Sequence, residues 1–210
     1  FIIKEGEKVA FIGRIGSGKS TIAKLILKLY VPQEGSILID GIDISQIDPA
    51  DLRKKISYVP QDIHLFRNTI KNNILGSYKF VDDEWMIKCS KISGTDEFVK
   101  LHPVGYDMPI GERGAGLSGG QRQSVGIARA LINDSKIYLF DEPTNAMDQT
   151  SESNVLNNLK ENLEEKTLFL VTQKMNMLDL VTRVIVMNQG EKVLDGDKME
   201  IIKKLGVNNG

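Results

Sequence analysis

The sequence predicts an α/β fold with a mainly parallel β-sheet, an antiparallel β part and an inserted helical segment. Short apolar runs of strand length alternate along the chain with segments of helical periodicity. A glycine-rich loop joins the first strand to the first helix, and a long middle stretch has no strong strand pattern. Because parallel strands need crossover connections, usually helices, this alternation indicates a parallel sheet into which the middle stretch is inserted.

The individual elements follow from local patterns. KVAFIG is a predicted strand, STIAKLILKLY a helix, GSILIDGIDI two strands around an Asp40-Gly41 turn, and KISYVPQD a further strand. After the middle stretch come the strands KIYLFDEP and TLFLVTQ with a helix at about 150–163 between them, a strand pair in RVIVMNQGEKVLDG and a helix in DKMEIIKKLG. The opening FIIKEG resembles the last part of a strand, so we expect the chain to be part of a longer protein.

The middle stretch is a predicted helical insertion. It contains short helical pieces, DDEWMIKCSKI and TDEFVKL, then the glycine-rich GERGAGLSGGQ and the longer helix QRQSVGIARALI. We therefore predict an α/β core formed by residues 1–61 and 129–210 and a helical subdomain at 62–128.

Charge and hydropathy argue against nucleic acid as a partner and against a membrane-spanning helix within these residues. Net charge is −1 with 26% charged residues, so no basic footprint for nucleic acid is present. No apolar run approaches the roughly 20 residues of a membrane-spanning helix. Any transmembrane part is expected outside these residues.

The glycine-rich loop has the pattern of a phosphate-binding loop. GRIGSGKS, residues 13–20, matches G-x-x-x-x-G-K-[ST] after a strand and at the start of a helix. Its glycines permit backbone angles that direct successive N–H groups into one concavity, and the helix N-terminus adds positive charge. Lys19 is predicted to reach the β- and γ-phosphates, Ser20 to ligate Mg²⁺ and Thr21 to assist at the α-phosphate. The predicted phosphate-binding residues are Gly13, Gly16, Ser17, Gly18, Lys19, Ser20 and Thr21. A plain glycine turn is the structural alternative.

Two carboxylates end an apolar strand. KIYLFDEP places Asp141 and Glu142 where buried carboxylates are costly unless they are paired or bind metal. Asp141 is predicted to hold Mg²⁺, often through water, and Glu142 to orient the water attacking the γ-phosphate or accept its proton. D-E-P by itself is common at strand ends, but beside a phosphate loop it indicates nucleotide hydrolysis. No Cys or His cluster has zinc spacing, so Mg²⁺ is the only metal predicted.

A further motif, LSGGQ, stands just before the long helix and upstream of the acidic strand. With the phosphate loop it makes essentially all 210 residues resemble the nucleotide-binding ATPase domain of an ABC transporter, which has a P-loop, RecA-like fold. The motifs occur in the family's order, with a glutamine loop at Gln61 and an aspartate loop, NAMD, ending at Asp148. The signature loop consists of Leu117, Ser118, Gly119, Gly120 and Gln121.

The resemblance implies Mg-ATP as substrate and a head-to-tail homodimer in the ATP state. Ser118 would cap a helix whose glycines leave N–H groups bare, and in the family this second cradle closes on ATP held by the other subunit. Gln61 would contact Mg²⁺ or the attacking water, and Asp148 would communicate between subunits. GERG, residues 111–114, is similar to a segment of exporters that touches the transmembrane part, and longer stretches are similar to bacterial type I secretion and peptide exporters.

That subtype implies a transmembrane domain on the same or a partner chain, an exported protein or peptide, and a place at the cytoplasmic face of the inner membrane. The family stacks adenine on an aromatic residue that we expect upstream of Phe1. Gln173, at the end of TLFLVTQ, stands where the family has a histidine that bonds the γ-phosphate. Glutamine can donate an N–H but cannot carry a charge near neutral pH.

Three functions therefore remain open. The first is an exporter ATPase, with Glu142, Gln173 and Gln61 as its catalytic residues. The second is an ATP-dependent clamp whose hydrolysis is impaired by Gln173. An ABC-type ATPase of DNA repair or chromosome maintenance is disfavoured, since the sequence has no long coiled coil, zinc hook or basic face.

Overall fold

A computed structural model of the protein describes residues 1–78 and 80–206. The helices and strands, in chain order, are β1 (Lys8–Ile12), α1 (Lys19–Ile26), β2 (Leu38–Ile39), β3 (Ile42–Asp43), α2 (Pro49–Lys55), β4 (Ile56–Val59), β5 (Asn68–Thr69), α3 (Ile70–Leu75), α4 (Asp83–Ile92), α5 (Thr95–Val99), β6 (Pro109–Ile110), α6 (Gly119–Ile132), β7 (Ile137–Asp141), α7 (Gln149–Asn162), β8 (Thr167–Val171), β9 (Arg183–Asn188), β10 (Glu191–Asp197) and α8 (Lys198–Lys204). Within the described ranges, no helix is both long and apolar enough to cross a membrane.

A six-stranded sheet in the order β10-β9-β1-β8-β7-β4 organises the α/β part. β1 pairs in parallel with β8 and β9, and β7 pairs in parallel with β8. β10 is antiparallel to β9, and β2 and β3 form a separate antiparallel pair. The predicted α/β fold, with a mainly parallel sheet and an antiparallel part, is confirmed.

The core of this sheet is aromatic and aliphatic. Phe11 of β1 stacks on Phe169 of β8 with ring centroids 4.0 Å apart, and both side chains are buried. Leu139 and Ile185 from the neighbouring strands belong to the same buried cluster. Each such side chain stabilises the fold by about 1.5–3 kcal/mol relative to exposure. The central strands are therefore almost wholly apolar, as parallel strands covered on both faces must be.

The helix after the phosphate loop is shorter than its sequence pattern predicts. STIAKLILKLY suggests a helix reaching Tyr30, whereas α1 ends at Ile26 and Lys28 has a left-handed φ of 53°. The Arg53 guanidinium donates to the carbonyls of Leu27 and Lys28, each at 3.0 Å. A side chain from a different helix thus satisfies the two carbonyls that follow the end of α1, which a further helical turn would otherwise have paired.

The opening residues do not form the end of a strand, so that prediction is wrong. Residues 1–4 have no regular secondary structure, and the Ile2 carbonyl accepts a 2.8 Å hydrogen bond from the Arg183 guanidinium instead of a strand ladder. Arg183 also binds Glu7 at 2.9 Å and Asp195 through two nitrogens. The bond from Arg183 lowers the pKa of Asp195 to about 2. An ion-paired arginine therefore holds this segment beside β9.

The chain divides into two compact units. The first comprises residues 1–58, 135–141 and those from Glu165 onward, and the second comprises 59–134 and 142–164. The domains predicted from the sequence place 142–164 with the core, whereas α7 in that segment packs on α4 of the second unit. The predicted boundaries at 61/62 and 128/129 stay predictions of domain organisation.

The second unit is built around α6. Val125, Ile127 and Leu131 of this helix are buried, and α3, α4 and α5 pack against it. The Trp85 indole of α4 donates a 3.2 Å hydrogen bond to the carbonyl of Ile132, the last residue of α6. The strands described in this unit are the two-residue pair β5 and β6, in keeping with the weak strand signal of its sequence.

Candidate functional site

The predicted phosphate loop lies between β1 and α1 and against the turn that joins β9 to β10. Gly13 has a φ of 150°, and a Cβ there would lie 2.2 Å from the Met187 carbonyl oxygen. The Gly190 N–H donates to the Ser17 carbonyl at 3.1 Å. Gly18 precedes α1 with a left-handed φ of 96°. Side chains at Gly13 and Gly18 would disturb the loop, because one lacks space and the other lacks an accessible backbone conformation.

Lys19 is held inside this loop. Only 6% of the residue is exposed, and its Nζ donates to the carbonyls of Gly13 (2.8 Å) and Arg14 (2.9 Å) and to Ser17 Oγ (3.3 Å). The ammonium group therefore lies within the phosphate loop, bound to its carbonyl oxygens. A cation at this place favours the bound anion directly.

Ser20 and Asp141 are in contact. Ser20 Oγ donates to Asp141 Oδ1 at 3.0 Å, and Asp141 is 2% exposed at the end of β7. Hydroxyl and carboxylate oxygens are the hard ligands that Mg²⁺ prefers, so this pair fits the predicted metal. Burial, with a further contribution from the Asp141 charge, raises the pKa of Tyr58 to about 12, so its phenol stays neutral beside the carboxylate.

The position of Gln173 follows from the register of β8. Val171 pairs with Phe11 of β1 and with Asp141 of β7. Thr172 and Gln173 therefore leave the sheet at the same edge as the phosphate loop and Asp141. Thr172 is buried and its hydroxyl accepts the Lys174 N–H at 3.0 Å, while Gln173 is exposed. All the predicted site residues of the first unit therefore lie at the edge of the sheet formed by the carboxyl ends of β1, β7 and β8.

In the second unit, the signature loop begins α6. Ser118 caps the helix by accepting the Gln121 N–H at 3.1 Å, and Gln121 Oε1 accepts the Ser118 N–H at 2.9 Å. A cleft of about 330 Å³ is lined by Ser118, Gly120 and Gln121 together with residues 146–148. The structure therefore brings the signature loop and the aspartate loop to one surface of this unit.

Asp148 has a structural task that the sequence reasoning did not assign. Its Oδ1 accepts the N–H groups of Thr150 (3.1 Å) and Ser151 (3.0 Å), so it caps α7. The Ser151 backbone bond lowers the pKa of Asp148. Asp148 is exposed, so its carboxylate is accessible to solvent while it caps the helix.

The remaining predicted residues also lie in the second unit. Glu142 is 5% exposed and has a left-handed φ of 49°, which is uncommon for a residue with a side chain. Gln61 is exposed and follows the end of β4 by two residues.

Sequence reasoning missed Gln123, a buried polar residue of α6. Its Nε2 donates to the Glu142 carbonyl at 3.4 Å, and its Oε1 accepts the Ala146 N–H at 2.7 Å. Thr144, nearby in the same loop, donates to the buried Glu152 carboxylate. The sequence feature that could have indicated a role for Gln123 is its place on the apolar face of a predicted helix, four residues before Ile127.

A parallel sheet, a phosphate-loop sequence and a serine–aspartate pair at one sheet edge define a P-loop nucleotide-binding domain. The family model described as ABC transporter matches residues 1–145. The chain therefore belongs to the ABC transporter family, as an ATP-binding domain of the ATPase class, and the resemblance inferred from its motifs is confirmed.

Relatives and solved structures agree with this assignment. The chain is 41% identical over 208 residues to the leukotoxin translocation ATP-binding protein LktB of Pasteurella haemolytica-like sp. (strain 5943B), covering 99% of the chain and 29% of that protein. It is 39% identical over 201 residues to the leukotoxin export ATP-binding protein LtxB of Aggregatibacter actinomycetemcomitans, covering 96% and 28%. A structure of a bacterial Atm1-family ABC exporter with ATP bound superimposes with a TM-score of 0.92 at 35% identity, covering 99% of the chain and 36% of that one. The chain thus spans less than a third of the curated relatives' length.

Replacing Lys19 by alanine should weaken ATP binding about tenfold or more, because a charge-assisted contact is worth about 1.5–3 kcal/mol. Calorimetric titration with ATP measures the effect. Lys24→Ala is the matched control: it removes the same charge from the last turn of the same helix, and ATP affinity should stay within twofold, the ordinary scatter of about 0.4 kcal/mol. Unchanged affinity in a folded Lys19→Ala protein would remove Lys19 from the phosphate site.

Proposed function

We propose that this domain powers export of a protein or peptide across a membrane through ATP-driven, head-to-tail dimerisation of two copies. The proposal is supported by the occurrence of two predicted anion-binding motifs in one chain. The glycine loop with Lys19 lies in the first compact unit, and the Ser118-capped helix lies in the second. In a two-fold symmetric dimer, the phosphate loop of each copy would face the signature loop of the other copy. The dimer would therefore enclose two ATP molecules.

Each predicted residue has a role in this proposal. The loop backbone and Lys19 would bind the phosphates, and Ser20, Asp141 and Gln61 would hold Mg²⁺, which would supply positive charge to offset that of the phosphates. Water attacks the γ-phosphorus, the bond to the β-phosphate oxygen breaks, and Glu142 accepts the water's proton. Gln173 donates to a γ-phosphate oxygen. The full set is Gly13, Gly16, Ser17, Gly18, Lys19, Ser20, Thr21, Gln61, Leu117, Ser118, Gly119, Gly120, Gln121, Asp141, Glu142, Asp148 and Gln173.

The cargo and the location are proposed from similarity. Two relatives carry names that describe leukotoxin translocation or export, which supports a protein or peptide substrate. The transmembrane domain would belong to the same or a partner chain, and this domain would lie at the cytoplasmic face of the inner membrane.

A second candidate is a clamp that closes on ATP but hydrolyses it slowly. It is favoured by Gln173, an exposed amide at the sheet edge that carries the phosphate loop. An amide cannot take up a proton or a positive charge near neutral pH. ATP affinity would therefore be kept while kcat for hydrolysis is lowered.

The dimer model is tested by molar mass. In a Glu142→Gln protein, Mg-ATP should convert monomer to dimer in light scattering at high protein concentration, because binding is kept while hydrolysis is blocked. Adding Ser118→Arg should prevent the dimer by placing bulk and charge in the shared cradle.

A matched control adds Ser153→Arg instead. Ser153 is exposed on α7, on the face of the helix opposite Ser151 and Val155, which line the cleft. This variant should still dimerise. Equal mass with and without ATP in Glu142→Gln alone would refute ATP-driven dimerisation of the domain.

A further inference from the structure

The loop that carries Glu142, residues 142–148, is contacted by the signature helix, α6, which begins with the signature loop. Gln123 lies five residues after the Ser118 cap and is 5% exposed. The Gln123 amide hydrogen-bonds two parts of the loop. Its Nε2 donates to the Glu142 carbonyl at 3.4 Å, and its Oε1 accepts the Ala146 N–H at 2.7 Å. A glutamine amide has one donor group and one acceptor group. Both are used here, the donor by Glu142 and the acceptor by Ala146.

The start of the same helix touches this loop directly. A Cβ on Gly119 would lie 2.9 Å from the Ala146 Cβ, and a Cβ on Gly120 would lie 3.1 Å from the Ala146 carbonyl oxygen. A Cβ at Gly119 would force a shift and one at Gly120 would be tightly crowded, so the two glycines permit close contact between helix and loop. The start of the helix and the loop are therefore in direct contact at Ala146.

The backbone of Glu142 needs such support. Its left-handed φ of 49° is unfavourable for a residue with a Cβ and persists only where surrounding contacts hold it. The Glu142 carbonyl accepts the Asn145 N–H at 3.3 Å as well as the Gln123 amide. The pair formed by Thr144 and Glu152 anchors the next part of the loop.

We infer that Gln123 is a positioning residue, which holds the Glu142 backbone in register with the signature helix. The inference rests on the proposed role of Glu142 in hydrolysis. Contact made by the signature loop is then transmitted through one amide to the residue that activates water. A carboxylate at this position keeps the acceptor for Ala146 but loses the donor for Glu142, and an aliphatic side chain loses both.

The test uses Gln123→Glu and Gln123→Leu in the full chain. Both should lower kcat for ATP hydrolysis about tenfold while KM stays within about twofold, because misplacement of a reacting group acts mainly on the chemical step. Asn158→Leu is the matched control, since its amide donates to the carbonyls of Lys91 and Ile92 at 3.3 Å within the same compact unit. This control should lower the melting temperature comparably and leave kcat unchanged.

A double mutant separates positioning from general destabilisation. In a Glu142→Gln background, Gln123→Leu should have no further effect on the residual rate, since there is no carboxylate left to position. A further tenfold loss there, or normal kcat in both single variants, would overturn the inference. If Gln123→Leu does not fold, Gln123→Glu, which keeps the side chain's size and the Ala146 contact, decides by the same criteria.

The outcome also distinguishes this inference from the proposed function. Full hydrolysis by Glu142→Gln would refute the role of Glu142 itself, and the positioning role would fall with it. An inactive Glu142→Gln protein together with fully active Gln123 variants would refute only the positioning role.

Discussion

Replacement of Glu142 by glutamine is expected to lower kcat for ATP hydrolysis by about 10²–10⁴-fold, the usual contribution of a general base. KM and ATP affinity should change little, because the carboxylate acts on the attacking water in the transition state. The substitution keeps the size of this 5% exposed side chain, so the buried site should pack as before. Steady-state phosphate release and calorimetry measure the two quantities.

The control for this prediction is Glu161→Gln. Glu161 is exposed on α7 in the same compact unit, and the substitution makes the same chemical change away from the site. Its kcat should equal that of the unaltered protein. Retention of a rate within threefold by Glu142→Gln, a difference of only about 0.65 kcal/mol, would show that another group activates the water.

The second large effect is expected from Gln173→His, which should raise kcat at least about tenfold with little change in KM. An imidazole at this sheet edge can carry a positive charge and relay a proton, whereas the amide can only donate an N–H. The unaltered protein should accordingly bind ATP normally and turn over slowly, with a deficit toward about 10²–10⁴-fold.

The same substitution at an exposed position of a short 3₁₀ helix, Gln46→His, provides the comparison and should leave kcat unchanged. Enzymes commonly turn over at about 1–10³ s⁻¹. If the unaltered protein already works in that range and Gln173→His adds nothing, glutamine is an adequate substitute and the slow clamp is not the function of this chain.

Local patterns were sufficient for much of the fold and of the candidate site. The phosphate loop was predictable because its glycine spacing meets a backbone requirement, which the structure displays at Gly13 and Gly18. Apolar runs predicted the buried parallel strands, because covering both faces leaves few polar positions within them. The positions of Asp141 at the end of β7 and of Gln173 two residues after the end of β8 followed from the same runs, because the carboxyl ends of parallel strands lie at one edge of a sheet.

Long-range contacts decided the rest. The end of α1 depends on Arg53, a residue of a different helix, and the path of the opening residues depends on Arg183. Segment 142–164 joins the second compact unit because α7 packs on α4, a contact between segments far apart in the chain.

The sequence by itself determined the family, the mainly parallel sheet and the types of residue at the phosphate site, because each depends on a local pattern of glycine, apolar or acidic residues. Only the tertiary structure showed that Ser20 touches Asp141 and that Gln123 joins the signature helix to the Glu142 loop. These pairs are formed by packing of distant segments. The hydrogen-bonding capacity of a serine or a glutamine is visible in the sequence, but its partner is chosen by the fold.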